Sequence, residues 1–222
     1  MYISVLAATI FIFLASSLLS VLLTMNFFRK SLISYIYWST GMWLFALASL
    51  LEIFFSVGIY NIPLIDVYLF SVAVLVQLLS LGSLALTKKD SVFRAYAGYS
   101  IAADALLAAA LVIYPVGYIL TNGVVFGLLP LFVIIVSSII TFPAAVILIV
   151  VGALSYRTGK DARMLSIIAG TIVVSIAGTL YIAAYPAFLY YAEFIGIVLL
   201  WIGFVDFRYL FHAREVNKSV NG

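Results

Sequence analysis

The chain has 222 residues, of which 67% are hydrophobic and only 9% are charged. Soluble domains are about half apolar and about a quarter charged, so this composition indicates a membrane protein. The net charge of +3 does not point to nucleic acid, because every basic residue lies beside a predicted membrane span. Cysteine is absent, which excludes disulfides, thiolate nucleophiles and cysteine-ligated metal sites.

A helix needs about 20 apolar residues to cross a bilayer, and several stretches of the chain meet this requirement. We predict seven transmembrane helices, at Tyr2–Asn26, Ser31–Val57, Pro63–Leu86, Val92–Ile113, Val124–Leu154, Met164–Tyr185 and Ala187–Phe211. The first stretch has no basic residues before it and has Arg29 and Lys30 after it, so we expect a retained span rather than a signal peptide. The predicted fold class is all-α, a single transmembrane domain over residues 1–222.

The basic residues show which side of the membrane each connection occupies. Three of the connections between spans, at 58–62, 114–123 and 185–186, contain no lysine or arginine. Basic loops stay on the cytoplasmic side, so we predict an outside N-terminus, a cytoplasmic C-terminus and a multi-pass protein of the cell membrane. All 11 basic residues fall on the cytoplasmic side: Arg29, Lys30, Lys88, Lys89, Arg94, Arg157, Lys160, Arg163, Arg208, Arg214 and Lys218.

The fifth span contains Pro130 and Pro143, and proline removes a helix hydrogen bond. We predict that this helix begins near residues 127–130 and kinks around Pro143. The kink frees the carbonyl group of Ile139, which then needs another hydrogen-bond donor. Candidate donors in the same span are Ser137, Ser138 and Thr141.

The order of the spans suits two parallel helix triplets joined by the fourth span, because spans one and five both run inward. Gly41 and Gly170 occupy similar places in spans two and six, and little else matches. The sequence therefore permits an internal repeat without establishing it.

The fourth span carries an acidic residue, Asp104, within an apolar helix. Tyr96, Ser100 and Asp104 recur every four residues and so share one face. Small side chains let helix backbones approach closely, so we expect this helix to be enclosed by neighbours on two sides. The small residues lie on roughly the opposite face: Ala95, Gly98, Ala102, Ala105 and Ala109.

Ionisable residues inside a membrane often mark binding sites or ion pathways. Three or four carboxyl groups lie in the predicted outer half, with no lysine or arginine to neutralise them. Because an isolated charge is costly there, we expect Asp104 to keep its proton at neutral pH and to hydrogen-bond to Ser, Thr, Tyr or Gln77. The candidate ligand- or proton-binding residues are Asp104, Glu193, Glu52, Gln77, Ser100 and Tyr190.

A structural interpretation stays open for the same residues, with each acid neutral and serving only to join helices. Asp66 is expected to cap the start of the third helix. Most tyrosines near the outer ends fit a belt at the headgroup level, although two or three could line a pocket. These tyrosines are Tyr60, Tyr68, Tyr114, Tyr118, Tyr181, Tyr185, Tyr190 and Tyr191.

Seven spans with an outside N-terminus resemble the topology of microbial rhodopsins. A rhodopsin needs a lysine in its seventh helix for the retinal Schiff base. Retinal binding by that chemistry is therefore excluded, because no lysine lies in a predicted span. The five lysines are Lys30, Lys88, Lys89, Lys160 and Lys218.

The second span resembles that of the seven-helix membrane input modules found ahead of bacterial and archaeal signalling domains. The resemblance implies a receptor-like sensor. Arg163 before Gly170 in the sixth span is similar too. We expect no output domain in this chain, so any signal would pass through another chain. The similar residues of the second span are Arg29, Lys30, Trp38, Gly41, Trp43, Ala46 and Glu52.

The first functional hypothesis is a non-catalytic sensor or receptor-like module with an outward-facing pocket lined by Glu52, Gln77, Asp104 and Glu193. The second is a small permease coupled to protons or cations through Asp104 and Glu193, and the third is an accessory subunit of a larger membrane complex. We expect no enzyme, since no nucleophile–base pair or metal-ligand spacing is present. We also expect no cofactor. The expected partners are the lipid bilayer and another membrane protein or a second copy, not nucleic acid.

Overall fold

The structure is a computed structural model that describes residues 2–87, 89–121, 124–159, 162–182 and 186–205. Several basic residues that predict the orientation lie outside the described residues, namely Lys88, Lys160, Arg208, Arg214 and Lys218. Within the described ranges, side chains are left out at 2–5, 118–121, 124–128, 159, 162, 164, 175–182 and 186–189.

The described chain folds into seven helices, which confirms the all-α fold class. A short antiparallel hairpin connects the fourth and fifth helices and pairs Gly117 with Leu128. Its strands are β1 (Gly117–Thr121) and β2 (Val124–Leu128). The helices are α1 (Tyr2–Lys30), α2 (Ile33–Ser56), α3 (Ile62–Ala85), α4 (Asp90–Ile113), α5 (Leu131–Gly159), α6 (Ala162–Ile182) and α7 (Pro186–Phe204).

Length and composition make five of these helices, α1 to α5, suitable for crossing a membrane. The last two helices have 21 and 19 residues. Their described side chains include shorter apolar segments, Leu165–Val174 and Tyr190–Phe204. The structure therefore supports a helical membrane protein.

The predicted bound of the fifth span at Val124 is wrong, whereas the helix start expected near residues 127–130 agrees closely with the structure. Val124–Leu128 forms the second strand of the hairpin, and α5 begins at Leu131, directly after Pro130. Proline disfavours helical backbone at the residue before it, so a helix starts more readily just after a proline than through one. At its other end α5 continues past Leu154 to Gly159.

Helix α5 continues through Pro143, and the carbonyl group of Ile139 accepts a hydrogen bond from outside the helix. The donor is the hydroxyl group of Tyr99 on α4. The predicted donors within α5 are wrong, because Ser138 and Thr141 each donate to the carbonyl one turn before them. The carbonyl freed by the proline therefore ties α4 to α5.

Six of the helices form a closed ring in the order α1, α2, α3, α5, α6, α7, with α7 returning to α1. Helix α4 packs chiefly against α3 and α5, which also contact each other, and so lies outside this helix ring. Helix α3 contacts α2, α4, α5 and α6. The central helix of the described bundle is therefore α3 rather than α4.

The expected enclosure of α4 on two sides is wrong. Its polar face is buried against α3 and α5, including Tyr96, Ser100 and Leu107. A Cβ atom added at Gly98 would meet nothing within 4 Å. The small residues of the opposite face are all exposed: Ala95, Gly98, Ala102, Ala105 and Ala109.

Polar side chains of several helices face the interior of the bundle. Ser49 and Glu52 on α2 are buried, as are Gln77 and Ser80 on α3 and Glu193 on α7. The interior of the bundle is therefore partly polar.

Candidate functional site

Two glutamates meet in the interior, and we call Glu52 and Glu193 the carboxyl pair. Glu52 lies about one turn before the end of α2, and Glu193 about two turns into α7. The two side chains are only 4% and 5% exposed. Their carboxyl groups lie close enough to interact electrostatically, and the Tyr68 hydroxyl of α3 donates to Glu52 Oε1 at 2.8 Å. Three helices thus converge on one acidic site.

The carboxyl pair is not fully satisfied by the protein. Oε2 of Glu52 and Oε2 of Glu193 are both buried and have no hydrogen-bond partner among the described residues. An ionised carboxylate only accepts hydrogen bonds, so a bond between two carboxyl groups requires a proton on one of them. The two carboxyl groups can therefore hydrogen-bond to each other only by sharing a proton, and each has one further oxygen without a partner.

The surroundings of the carboxyl pair are apolar. Tyr68 belongs to a buried cluster with Leu51 and Phe55, and its ring contacts that of Phe55 edge to face at 5.8 Å between centroids. Tyr190, one turn before Glu193 on α7, is buried in the same cluster. The basic residues of the described chain lie at the opposite helix ends, namely Arg29, Lys30, Lys89, Arg94, Arg157 and Arg163.

A second polar group, which we call the Asp104 cluster, comprises Gln77, Ser100 and Asp104 between α3 and α4. With the Gln77 amide nitrogen facing Asp104, Nε2 donates to Oδ1 at 2.7 Å and to Oδ2 at 3.1 Å. In this orientation Gln77 Oε1 accepts from Ser100 Oγ at 3.2 Å. The geometry agrees with the expected hydrogen bond between Asp104 and Gln77.

Further hydroxyl groups continue the Asp104 cluster toward the start of α4. The hydroxyl oxygens of Ser80 and Tyr96 are 3.0 Å apart, and Ser80 donates to the Gln77 carbonyl at 2.7 Å. Tyr96, Ser100 and Asp104 project from one face of α4 because they are spaced one helical turn apart. The cluster therefore joins α4 to α3 over about two turns of helix.

The structure distributes the six predicted site residues over two places. Glu52 and Glu193 meet, with Tyr190 near them, whereas Gln77, Ser100 and Asp104 form the other cluster. Tyr68 and Gln77 both belong to α3, but their separation along the helix turns their side chains to opposite sides. Asp104 and Glu193 therefore contact different partners, although the sequence predicts one pocket lined by both.

Comparison with protein families, curated proteins and solved structures finds no match for this chain. The likeness to rhodopsins and to seven-helix input modules is therefore carried only by the number of helices and by the residues of the second and sixth spans. Among the described residues, no group of three or more His, Cys, Asp or Glu side chains could hold a metal ion. Carboxyl groups take up and release protons, and this chemistry is available at the carboxyl pair.

The expectation that Asp66 caps α3 is wrong. The capping residue is Asn61, whose side chain accepts a hydrogen bond from the backbone N–H of Leu64 at 2.9 Å. Asn61 directly precedes the helix and has extended backbone, which is the arrangement that a capping side chain requires. Asp66 lies within the helix, with its Oδ1 atom buried and without a hydrogen-bond partner.

Tyr68 is the site residue that the sequence reasoning missed, because it was assigned to the tyrosine belt. It is only 2% exposed. A signal for burial was present, since the helical period places Tyr68 on the same face of α3 as Ile65 and Leu75, which are fully buried. Its partner on α2 is decided by packing and has no signal in the sequence of α3.

Proposed function

We propose that this chain is a non-catalytic sensor module of the cell membrane that responds to proton binding at the carboxyl pair. The observation that supports this most is the contact between Glu52 and Glu193, two buried acids on different helices, each with an unpartnered oxygen. Buried acids that serve only as structural links are normally hydrogen-bonded in full, because an unsatisfied buried polar atom is costly. The carboxyl pair departs from that rule.

The response follows from electrostatics. While the pair shares a proton, its hydrogen bond holds α2 to α7. When both carboxyl groups are ionised, two like charges face each other in a low dielectric and repel. The described neighbours of the pair include Tyr68 and Tyr190, and a neutral tyrosine does not compensate a negative charge. Loss of the proton should therefore loosen the contact between α2 and α7, and a partner membrane protein or a second copy would read the change.

The proposed direction of sensing is from the outside. Glu52 lies near the end of α2 and Glu193 near the start of α7. The positive-inside rule places both of these helix ends at the outer surface. The pair would then lie within about 10 Å of the external solution, which is a short path for a proton.

The test is the melting temperature of the protein in lipid nanodiscs, measured from acidic to alkaline buffer. The wild type should melt at lower temperature as the pH rises, because the stabilising shared proton is lost. The double variant Glu52→Gln, Glu193→Gln carries no carboxyl group at the site, so its melting temperature should change much less. Asp104→Asn is the matched control and should keep the wild-type response. An unchanged response in the double variant would exclude the proposal.

A small proton- or cation-coupled permease is the second candidate, and the helix ring favours it. The carboxyl pair joins α2 of the first three helices to α7 of the last three, and transporters built from repeats bind their coupling ions between the repeats. Proteoliposomes containing a trapped pH-sensitive dye distinguish the two candidates. A permease should move protons when a Na⁺ or K⁺ gradient is imposed and should lose this in Glu193→Gln, whereas a sensor should show no flux.

A further inference from the structure

Helices α2 and α3 approach each other closely at two glycines. A Cβ atom added at Gly41 of α2 would lie 3.2 Å from the carbonyl oxygen of Leu75 and 3.5 Å from the Leu79 side chain. One added at Gly82 of α3 would collide with the Trp38 side chain and lie 3.0 Å from the Ser34 carbonyl oxygen. On each helix these contact positions have the spacing i, i+4, i+7, which is one helical face.

Helices α6 and α7 repeat this contact in the same register. A Cβ atom added at Gly170 of α6 would lie 3.0 Å from the Gly196 carbonyl oxygen and 3.0 Å from Leu200. One added at Gly203 of α7 would collide with the Ile167 side chain. It would also lie 3.0 Å from the carbonyl oxygen of the residue one turn earlier, Arg163.

The two helix pairs correspond residue by residue. Each pair brings a glycine of its first helix to positions i and i+4 of its second. Each also brings a glycine of its second helix to positions i and i+4 of its first. The corresponding residues are Ser34, Trp38 and Gly41 with Arg163, Ile167 and Gly170, and Leu75, Leu79 and Gly82 with Gly196, Leu200 and Gly203.

The rest of the helix ring follows the same correspondence. Helix α1 contacts α2 as α5 contacts α6, and the contact of α3 with α5 corresponds to that of α7 with α1. Helices joined by short connections alternate in direction, so α1–α3 and α5–α7 run parallel to each other. Parallel repeats of this kind are related by an axis along the membrane normal.

The first three helices contact the last three at two places, α3 with α5 and α7 with α1, and different interactions stabilise these two contacts. Where α3 meets α5, α4 packs on both helices, with Tyr99 bonded to the Ile139 carbonyl and Asp104 bonded to Gln77. On the other side, α7 meets α1 and α2 without such a cover. The described polar contacts there include the carboxyl pair and the bond from Trp201 Nε1 to the Ala15 carbonyl at 3.0 Å.

We infer that the chain is an internal duplication and that its halves, α1–α3 and α5–α7, move as two bodies. The contact between α3 and α5, which α4 covers, is the hinge. The opposite contact, between α7 and the first half, opens at its outer end when the carboxyl pair loses its proton. This inference rests on the proposed function, which supplies the trigger. A hinge opposite the repelling charges converts a local repulsion into a rotation of one half against the other.

Two aromatic contacts allow a matched test, because the chain has no cysteine of its own. Phe11 and Phe194 join α1 to α7, with ring centroids 5.2 Å apart. Tyr114 and Phe132 join the end of α4 to the start of α5 on the hinge side, with centroids 5.1 Å apart. All four side chains are between 41% and 49% exposed, so reagent access is similar.

The experiment uses two double variants. The first carries Phe11→Cys with Phe194→Cys, and the second, on the hinge side, carries Tyr114→Cys with Phe132→Cys. Each is treated with a short bifunctional thiol reagent in acidic and in alkaline buffer. Thiol reactivity rises with pH in both variants, so the ratio of the two cross-linking yields isolates the movement. The yield of the Phe11/Phe194 variant divided by that of the Tyr114/Phe132 variant should fall several-fold in alkaline buffer. It should stay constant when Glu52→Gln and Glu193→Gln are added.

The outcomes separate this inference from the proposed function. A constant ratio in the wild-type background, together with a pH-dependent melting temperature, would overturn the two-body movement and leave the proton site intact. A constant ratio without any pH-dependent melting would overturn both.

Discussion

Buried hydroxyl groups are common in this protein, and most of them are satisfied within their own helix. Ser20, Ser49 and Ser71 each donate to the carbonyl one turn earlier, at 2.7 to 3.0 Å. Such a bond makes an inward serine compatible with an apolar helix and carries no information about a ligand. Tyr68 differs, because its hydroxyl reaches another helix and donates to an acid. Its ring meanwhile fills apolar space against Phe55.

Replacing Tyr68 by phenylalanine keeps the ring and removes only the hydroxyl group. Glu52 Oε1 would lose its hydrogen bond inside an apolar cluster, so we expect a loss of about 1–2 kcal/mol in the free energy of unfolding, at the upper end for interhelical bonds in membranes. Tyr114→Phe is the control, since Tyr114 is 42% exposed at the end of α4. Unfolding in detergent measures both variants. An equal loss in the two would mean that the bond to Glu52 contributes nothing.

At the scale of the element, glycine lets helix backbones of the described bundle approach each other closely. Side chains in a membrane cannot rely on the hydrophobic effect to associate, because lipid is as apolar as they are, so close backbone packing takes its place. The glycines of α2, α3, α6 and α7 serve this role. Gly98 does not, because it lies on the exposed face of α4.

Two glycine substitutions distinguish these roles. Gly203→Ala places a methyl group 2.9 Å from the backbone nitrogen of Ile167, so α6 and α7 must move apart. We expect a loss of about 1–3 kcal/mol in stability, as for other overpacked sites. Gly98→Ala should be neutral or slightly stabilising, because alanine favours helix. Thermal unfolding in the same detergent compares them. A neutral Gly203→Ala would contradict the close approach of the two helices.

At the scale of the whole molecule, function depends on which helix ends face the outside. Ile59 and Leu86 flank α3 at its two ends and are 57% and 39% exposed. The distribution of basic residues predicts that Ile59 lies outside and Leu86 in the cytoplasm. The carboxyl pair lies toward the end of the bundle that contains Ile59, so its access to external protons depends on this orientation.

Cysteine labelling in intact cells tests the orientation directly, because the chain contains no other cysteine. A membrane-impermeant maleimide should label Ile59→Cys in intact cells and Leu86→Cys only after the cells are opened. The two variants serve as controls for each other. The reverse pattern would place the carboxyl pair near the cytoplasmic surface, and sensing would then be internal.

Much of the fold follows from the sequence alone. The thickness of a bilayer sets the length of a span, and the helical period sets which residues share a face, so the helices and the inward position of Glu52, Gln77 and Glu193 were predictable. Pro130 made the helix start near Leu131 predictable, but the span was drawn from Val124 because Val124–Leu128 is as apolar as a span and becomes a strand only by pairing with β1. Composition cannot distinguish these two outcomes.

The composition of the two polar clusters was decided by tertiary structure. Periodicity states that a polar stripe faces the interior, but it does not state which helix lies opposite. That depends on the order of helices around the ring, which the glycine contacts and the position of α4 determine. Asp104 therefore meets Gln77 rather than Glu193, and Glu193 meets Glu52. The acids can be recognised in the sequence, but their partners depend on which helices pack next to each other.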